Sequence, residues 1–407
     1  MTTRNSMITI HSSDRYSTLR RISSWDHERI RNARILVAGV GALGNEVLKN
    51  LALLGIGYIV MVDFDRIELP NLSRSILFRE ANEGEAKAQT AAASLRLINP
   101  DIDTTVIQGD VGWEVGLGVF RRMDVIIGGL DNRVARIALN QHCWRTKKPW
   151  IDGALAEAAG AVRIFVPPDS ACYECMLSNA DYREMNLRFS CQGVALHGVI
   201  DGKIPTTPTV ASIVGAMQVQ EALKVLHREP VLAGHEILYD SNLHSMQTAK
   251  LKRREDCLGH STLGDVTEVA EFRAAKTTAS QILARAQSDL GEHARIHLDR
   301  ELALGLRCPA GHPTPEIFVP CFRLLDRDLS CPVCGEECTL ATTHVIDNES
   351  PHLGRTLADW GLPAAHVVRA VSGRQSLYYE LTGDIDAVLP GNPERKKFLG
   401  DTHVERS

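Results

Sequence analysis

The chain of 407 residues has no excess of basic side chains: 45 Lys and Arg stand against 50 Asp and Glu, a formal net charge of −5. That balance argues against a dedicated nucleic-acid binder. Nor is there an uninterrupted apolar run able to cross a bilayer. The most apolar stretch, 34–62, is broken by Asn45, Glu46, Lys49 and Asn50, which suits a strand followed by a helix. The opening MTTRNSMITIHSS lacks the apolar segment of a secretory signal. Internal repeats and low-complexity tracts are absent too. A soluble, cytoplasmic protein with no membrane or nucleic-acid partner is expected.

What the chain does have is cysteine, ten in all, several at knuckle-like spacing. In a cytosolic chain such clusters read as metal sites rather than disulfides. With 44% hydrophobic residues there is enough apolar material for one long domain or two to three smaller ones.

Runs of β-forming residues alternate with helical patterns through the first half. RILVAG, YIVMVD, TTVIQGDV and MDVIIGGLDN read as strands, with helices after the first (ALGNEVLKNLALLG), over 86–100 and over 133–146. This alternation predicts an α/β fold, a Rossmann-like doubly wound parallel sheet. A long helix, largely apolar in its first half, is expected over 209–229. The boundaries expected are an N-terminal arm at 1–31, the main domain at 32–260 and a linker with a short helix at 261–293. A zinc-ribbon-like domain at 294–346 and a small α+β unit at 347–407 complete the chain.

GVGALG places Gly39, Gly41 and Gly44 in a G-x-G-x-x-G pattern directly after a strand and opening a helix. The first glycine makes the turn, the second lets phosphate approach the backbone, and the third lets helix and strand pack closely. Asp63 closes the second strand, where a carboxylate can hold ribose hydroxyls. The pattern alone fits NAD as well as ATP. Asp65, Asn71, Arg74, Lys87 and Asp131 separate them, because a dehydrogenase gains nothing from Arg and Lys near the phosphates. An enzyme that cleaves ATP between its α and β phosphates needs those cations, and a carboxylate to hold Mg2+.

The ordered motifs GVGALG, D-x-D-x-I-E-x-x-N-L-x-R and L-D-N resemble the adenylation domain of E1-like activating enzymes over roughly residues 14–260. That superfamily includes the ThiF/MoeB sulfur-carrier adenylyltransferases and the ubiquitin-family E1 enzymes. The resemblance implies that the C-terminal glycine of a ubiquitin-fold protein is adenylated with ATP and Mg2+. By position, Asp63 would hold ribose, with Asp65 beside it. Asn71, Arg74 and Lys87 would contact phosphates, and Asp131, with Asn132, would serve Mg2+ and the adenylate. Ser75 stands where family members commonly carry glutamine. The family's N-terminal R-[YF]-x-R motif, which supplies an arginine from the partner subunit, reads Arg15-Tyr16-Ser17-Thr18 here, with Arg20 and Arg21 beyond it. A homodimer is implied.

Cys172 and Cys175 in C-Y-E-C, with Cys257 and His260 at the same two-residue gap, predict a Cys3His zinc site. The family usually shows two C-x-x-C pairs there. A second zinc is expected on Cys308, His312, Cys331 and Cys334, with Cys321 or Cys338 as alternatives to His312. Such an ion would hold together a domain too small to be stable unaided.

Cys143 and Cys191 remain. Cys143 lies in a helical pattern and reads as buried. Cys191, in RFSCQG, is expected to be a nucleophile, a core thiol or an auxiliary zinc ligand. In the resembling enzymes the catalytic cysteine occupies this crossover loop, where a thiolate can take the acyl group from the adenylate. The sequence thus points to an E1-like enzyme that forms a thioester on Cys191 and passes it to an E2-like partner. The alternative is sulfur-carrier adenylation without E2 transfer, and a binding-only relative or an NAD dehydrogenase fits less well.

Overall fold

Strand β1 (Arg34–Ala38) and strand β2 (Tyr58–Val62) are continuous apolar runs because both faces of a parallel strand are covered, and every residue of β2 is buried. The structure is a computed structural model that describes residues 14–178, 180–182, 205–321, 324 and 326–390. Strands β3 (Asp103–Ile107), β4 (Val125–Gly128), β5 (Trp150–Leu155), β6 (Ala159–Phe165), β7 (His235–Asp240) and β8 (Ser245–Lys250) complete a sheet of order β3-β2-β1-β4-β5-β6-β7-β8. The first five pair in parallel and the last three antiparallel, so the expected parallel sheet is mixed. Strand order reverses between β1 and β4, which opens a crevice at their carboxyl ends.

Among the described residues, helix α1 (His27–Asn32) leads into β1 and α2 (Ala42–Leu54) follows it. Next come α3 (Lys87–Ile98), α4 (Leu117–Arg121), α5 (Arg133–Arg145) and the twenty-residue α6 (Pro208–His227). Helix α6 packs tightly on α2, since a Cβ on Gly215 would stand 2.8 Å from the Glu46 Cβ. Its buried Gln218 donates to Gly128 O at 2.7 Å and Ile151 O at 3.2 Å, tying the helix to β4 and β5. The N-terminal arm is seated by Tyr16, whose ring occupies the space a side chain on Gly55 would need. Its hydroxyl accepts from Asn99 Nδ2 at 2.7 Å. No helix among the described residues is long and apolar enough to cross a membrane.

The second half forms its own sheet. Strands β9 (Val266–Glu268), β10 (Arg295–Arg307), β11 (Glu316–Pro320), β12 (Thr339–Ile346), β13 (Val367–Ser372) and β14 (Gln375–Glu380) run in the order β11-β10-β13-β14-β9, with β12 also on β10. Helix α7 (Ala279–Leu290) buries Ile282, Leu283 and Ala286 against it, and α8 (Ile385–Val388) follows β14. The boundaries expected at 293/294 and 346/347 therefore do not separate cores. The supposed linker supplies β9 and α7, and thirteen-residue β10 runs from the shared core to the cysteine cluster. At three residues β9 is too short a stretch to show alternation.

The two sheets are joined by buried charge. Glu380 is fully buried and ion-paired with both Arg121 and Arg122, and Arg122 Nη1 also donates to Gly118 O at 2.9 Å. Nearby, Gly118 N donates to Ala365 O at 2.8 Å, an approach that leaves no room for a Cβ at Gly116 or Gly118. Removing one partner of such a cluster leaves charge buried and uncompensated. Glu380→Ala is expected to lower stability by about 3 kcal/mol in urea unfolding, and to speed proteolytic separation of the two halves.

Candidate nucleotide site and metal centres

The glycine loop is built as its spacing predicts. Gly39 has φ +90° and a Cβ there would lie 2.6 Å from Gly129 O; one on Gly44 would lie 2.0 Å from Gly39 O. Gly41, by contrast, faces open space, with no atom within 4 Å of a built Cβ. It is also the N-cap of α2 and caps no backbone N–H with a side chain, so the first amides of the helix are left for a ligand.

Asp63 follows β2 and braces this loop: Oδ2 accepts from Val40 N and Oδ1 from Asp65 N, both at 2.7 Å. Burial raises its pKa, and the two amides pull it back. A carboxylate oxygen has two lone pairs, so each retains one for a ribose hydroxyl. Lys87, at the first position of α3, is mostly buried and ion-paired to Asp65 Oδ2 at 2.7 Å. Asn71 and Arg74 sit on a 3-10 turn, Leu69–Arg74. Asn71 accepts from Glu68 N at 3.0 Å, and Arg74 Nη1 donates to Pro70 O at 3.0 Å.

Asp131 and Asn132 follow Gly129, whose amide donates to Ala38 O at 2.8 Å, beside the glycine loop. Asn132 caps α5 by accepting from Ala135 N at 2.8 Å, and its amide nitrogen donates to Asp131 Oδ1 at 3.1 Å. Asp131 is exposed. Gly39, Gly41, Gly44, Asp63, Asp65, Lys87, Asp131 and Asn132 thus gather at the crevice above β1, β2 and β4.

Two supports escaped sequence reasoning. Asn45 is fully buried; its amide donates to Val40 O at 2.8 Å and Gly41 O at 3.0 Å, and its oxygen accepts from Leu77 N at 2.9 Å. It fastens the glycine loop to the segment after Arg74. Its only sequence signal is a polar residue in an apolar helix. Arg136 donates to Leu130 O at 2.5 Å and Gly153 O at 3.1 Å, and pairs with buried Asp152 at 3.1 Å, which Arg163 also holds at 3.0 Å. No spacing rule singles that network out.

The arginines of the N-terminal arm lie elsewhere. Arg15 donates to Ile98 O at 2.9 Å and Arg20 pairs with Asp14 at 2.6 Å, against the C-terminal ends of α2 and α3. Helix α2 separates them from the glycine loop by thirteen residues, about 20 Å. Cys191 lies outside the described residues.

Both cysteine clusters converge. The ligand atoms of Cys172, Cys175, Cys257 and His260 lie within 4.8 Å of one another, as do those of Cys308, His312, Cys331 and Cys334. Sulfurs bound tetrahedrally to zinc at ~2.3 Å stand about 3.8 Å apart. Cys172 Sγ is 3.7 Å from Cys175 Sγ and 3.5 Å from Cys257 Sγ, and Cys308 Sγ is 3.6 Å from Cys334 Sγ. His260 Nε2 stands 3.3 Å from Cys175 Sγ, with its ring stacked on Trp144, and His312 Nδ1 is 3.5 Å from Cys308 Sγ. Amides of Cys172 and Arg254 donate to Cys175 Sγ at 3.5 and 3.4 Å, the outer support that metal-bound thiolates receive. Both donor sets fit zinc. Of the alternatives to His312, Cys338 is buried in the same small core and Cys321 is half-buried. Cys143 is buried, and burial pushes its thiol well up, as befits a core residue.

The ThiF family matches residues 13–259. The chain is 28% identical over 246 residues to adenylyltransferase and sulfurtransferase MOCS3 of Culex quinquefasciatus, covering 60% of this chain and 53% of that one. It is 30% identical over 230 residues to the SAMP-activating enzyme E1 of Haloferax volcanii, covering 56% and 80%. With the sulfur carrier protein ThiS adenylyltransferase of Escherichia coli it shares 28% over 231 residues, 56% and 86%. A crystal structure of E. coli MccB with ATP has the same fold, with a TM-score of 0.50 at 23% identity over 61% of this chain and 75% of that one. On the glycine loop, the sheet reversal and these matches, the chain belongs to the ThiF family.

Proposed function

We propose that the protein is an ATP-dependent adenylyltransferase that activates the C-terminal carboxylate of a ubiquitin-like or sulfur-carrier protein. The observation that carries the reading is the open Gly41 face at the N-terminus of α2, flanked by Asp63 and the Asp131–Asn132 loop. The adenosine ribose hydroxyls donate to Asp63. The helix N-terminus, Lys87 and Arg74 take the phosphate charge, and Asn71 holds the turn that presents Arg74. Lys87 must then share its charge between Asp65 and the nucleotide. A carboxylate oxygen of the carrier attacks the α-phosphorus, the bond to the bridging α–β oxygen breaks, and pyrophosphate leaves with that electron pair. Mg2+, for which Asp131 is the exposed carboxylate at the site, would neutralise phosphate charge when bound.

From the adenylate, the Cys191 thiolate displaces AMP and forms a thioester, which an E2-like partner then receives. Sulfur-carrier activation without E2 transfer is the second reading, favoured by the likeness to the ThiS adenylyltransferase. Since Arg15 and Arg20 are held about 20 Å from their own glycine loop, a homodimer is needed for an arginine of the arm to serve a nucleotide. Each cysteine cluster holds one structural zinc.

ATP–pyrophosphate exchange should appear with a carrier ending in glycine, and Lys87→Ala should reduce it by about 10²–10³-fold. Cys191→Ala should leave exchange intact. Loss of a thiol-cleavable carrier adduct in that variant supports thioester transfer, whereas loss of sulfuration alone supports the second reading. Gly41→Val should abolish nucleotide binding in calorimetry with little change in thermal unfolding. Gly44→Ala, whose Cβ meets backbone, should cost about 2 kcal/mol in stability. Metal analysis should find two zinc ions per chain, and Cys308→Ser should release one while exchange persists.

A further inference from the structure

Past the carboxyl end of β4, one side chain ties three elements together. Arg136, in the first turn of α5, reaches back with Nη2 to Leu130 O at 2.5 Å and to Gly153 O, in β5, at 3.1 Å. Its Nε donates to Asp152 Oδ1 at 3.1 Å. Asp152 is fully buried, and its other oxygen accepts from Arg163 Nη1 at 3.0 Å. Arg163 in turn donates from Nε to Glu236 Oε1 at 2.7 Å. Two guanidinium groups and two carboxylates thus alternate across α5, β5, β6 and β7. Arg136 cannot swing out of this row without leaving buried charge poorly matched. Its side chain is only 11% exposed.

The contact with Leu130 bears directly on the crevice. The Leu130–Asp131 peptide is trans, so its C=O and N–H point in opposite directions. With Leu130 O turned onto Arg136, the Asp131 N–H is turned the other way, and among the described residues it has no hydrogen-bond partner. Asn132 holds the carboxylate itself, donating to Asp131 Oδ1 at 3.1 Å. Oδ2 accepts no hydrogen bond among the described residues, and the side chain is exposed. Mg2+ takes such oxygens, one or two carboxylates together with phosphate oxygens and water. An exposed carboxylate on an unbraced loop is a loose ligand; groups behind a ligand that fix its orientation raise metal affinity.

We propose that Arg136 is a positioning residue for Mg2+, which fixes the Leu130–Asp131 peptide and so holds the Asp131 carboxylate ready to ligate the ion. Arg136 itself touches neither metal nor nucleotide. The assignment rests on the nucleotide reading above and adds to it a residue outside the glycine loop and the phosphate-binding cations.

The test separates metal from nucleotide. Calorimetry measures ATP binding to the full chain in EDTA, then Mg2+ binding to the ATP-loaded chain with no carrier present. In Arg136→Gln, Mg2+ affinity should fall about 10-fold or more while ATP affinity in EDTA stays within about twofold of wild type. Half-maximal ATP–pyrophosphate exchange should then need about ten times more Mg2+. Arg163→Gln also strips a partner from Asp152 but leaves Leu130 O on Arg136. It should lower the unfolding temperature without moving Mg2+ affinity. Unchanged Mg2+ affinity in Arg136→Gln, or an equal loss in Arg163→Gln, would mean that Arg136 only packs the sheet and would overturn the assignment. Should Arg136→Gln fail to fold, Arg136→Lys keeps a charge beside Asp152 but lacks the planar fork. Wild-type Mg2+ affinity in that variant would overturn the assignment equally. A wild-type chain that binds no ATP would overturn the nucleotide reading itself, whereas intact ATP binding with unshifted Mg2+ affinity overturns the role of Arg136 alone.

Discussion

Three stretches of backbone meet at one point, and the candidate site depends on their having no side chains there. Gly39 O stands where a Cβ on Gly44 would be, and Gly129 O stands where one on Gly39 would be. The end of β1, the first turn of α2 and the loop after β4 are in direct contact as a result. Asp63 fastens the loop from the side of β2, and Asn45 fastens it to the segment after Arg74. A rigid, pre-formed cradle of amides needs little reorganisation when charge develops on a phosphate.

That part was legible in the sequence because the constraint acts locally. G-x-G-x-x-G has its meaning within six residues, and Asp63 is placed by the length of α2 and β2. The cysteine pairs were readable for the same reason, since a two-residue gap brings both donors to one ion. What sequence reasoning missed is held by contacts of large separation. Glu380 finds Arg121 and Arg122 across more than 250 residues, and Asp152 finds Arg136 and Arg163 on two different elements. Nothing in the neighbourhood of a lone Glu or Asp announces a partner that the tertiary fold supplies. The linker expected at 261–293 shows the same limit, because β9 is three residues long and its partners, β14, Arg121 and Arg122, are distant in sequence.

Charge inside this molecule is consistently shared. Asp299 serves Arg145 and His366, Asp152 serves two arginines, and Lys87 is held by Asp65. Such buried clusters add little net stability compared with apolar packing, but each tolerates only one arrangement of its partners. Those of Asp299 and Glu380, which cross between the halves, fix how the second sheet sits on the first. The exposed Asp131 departs from that rule.

Strand β10 carries the second sheet's core at Arg295–His297, Asp299 and Arg300 at the seam between sheets, and Arg307 next to Cys308 at the far end. Its partners change along its length and its register shifts near Ala303, so it is pinned at several places. A strand pinned in this way unzips only from an end that comes loose. An ion on the distal cysteines would hold one such end, and stripping it would let fraying run toward Arg300 and the contacts between the halves.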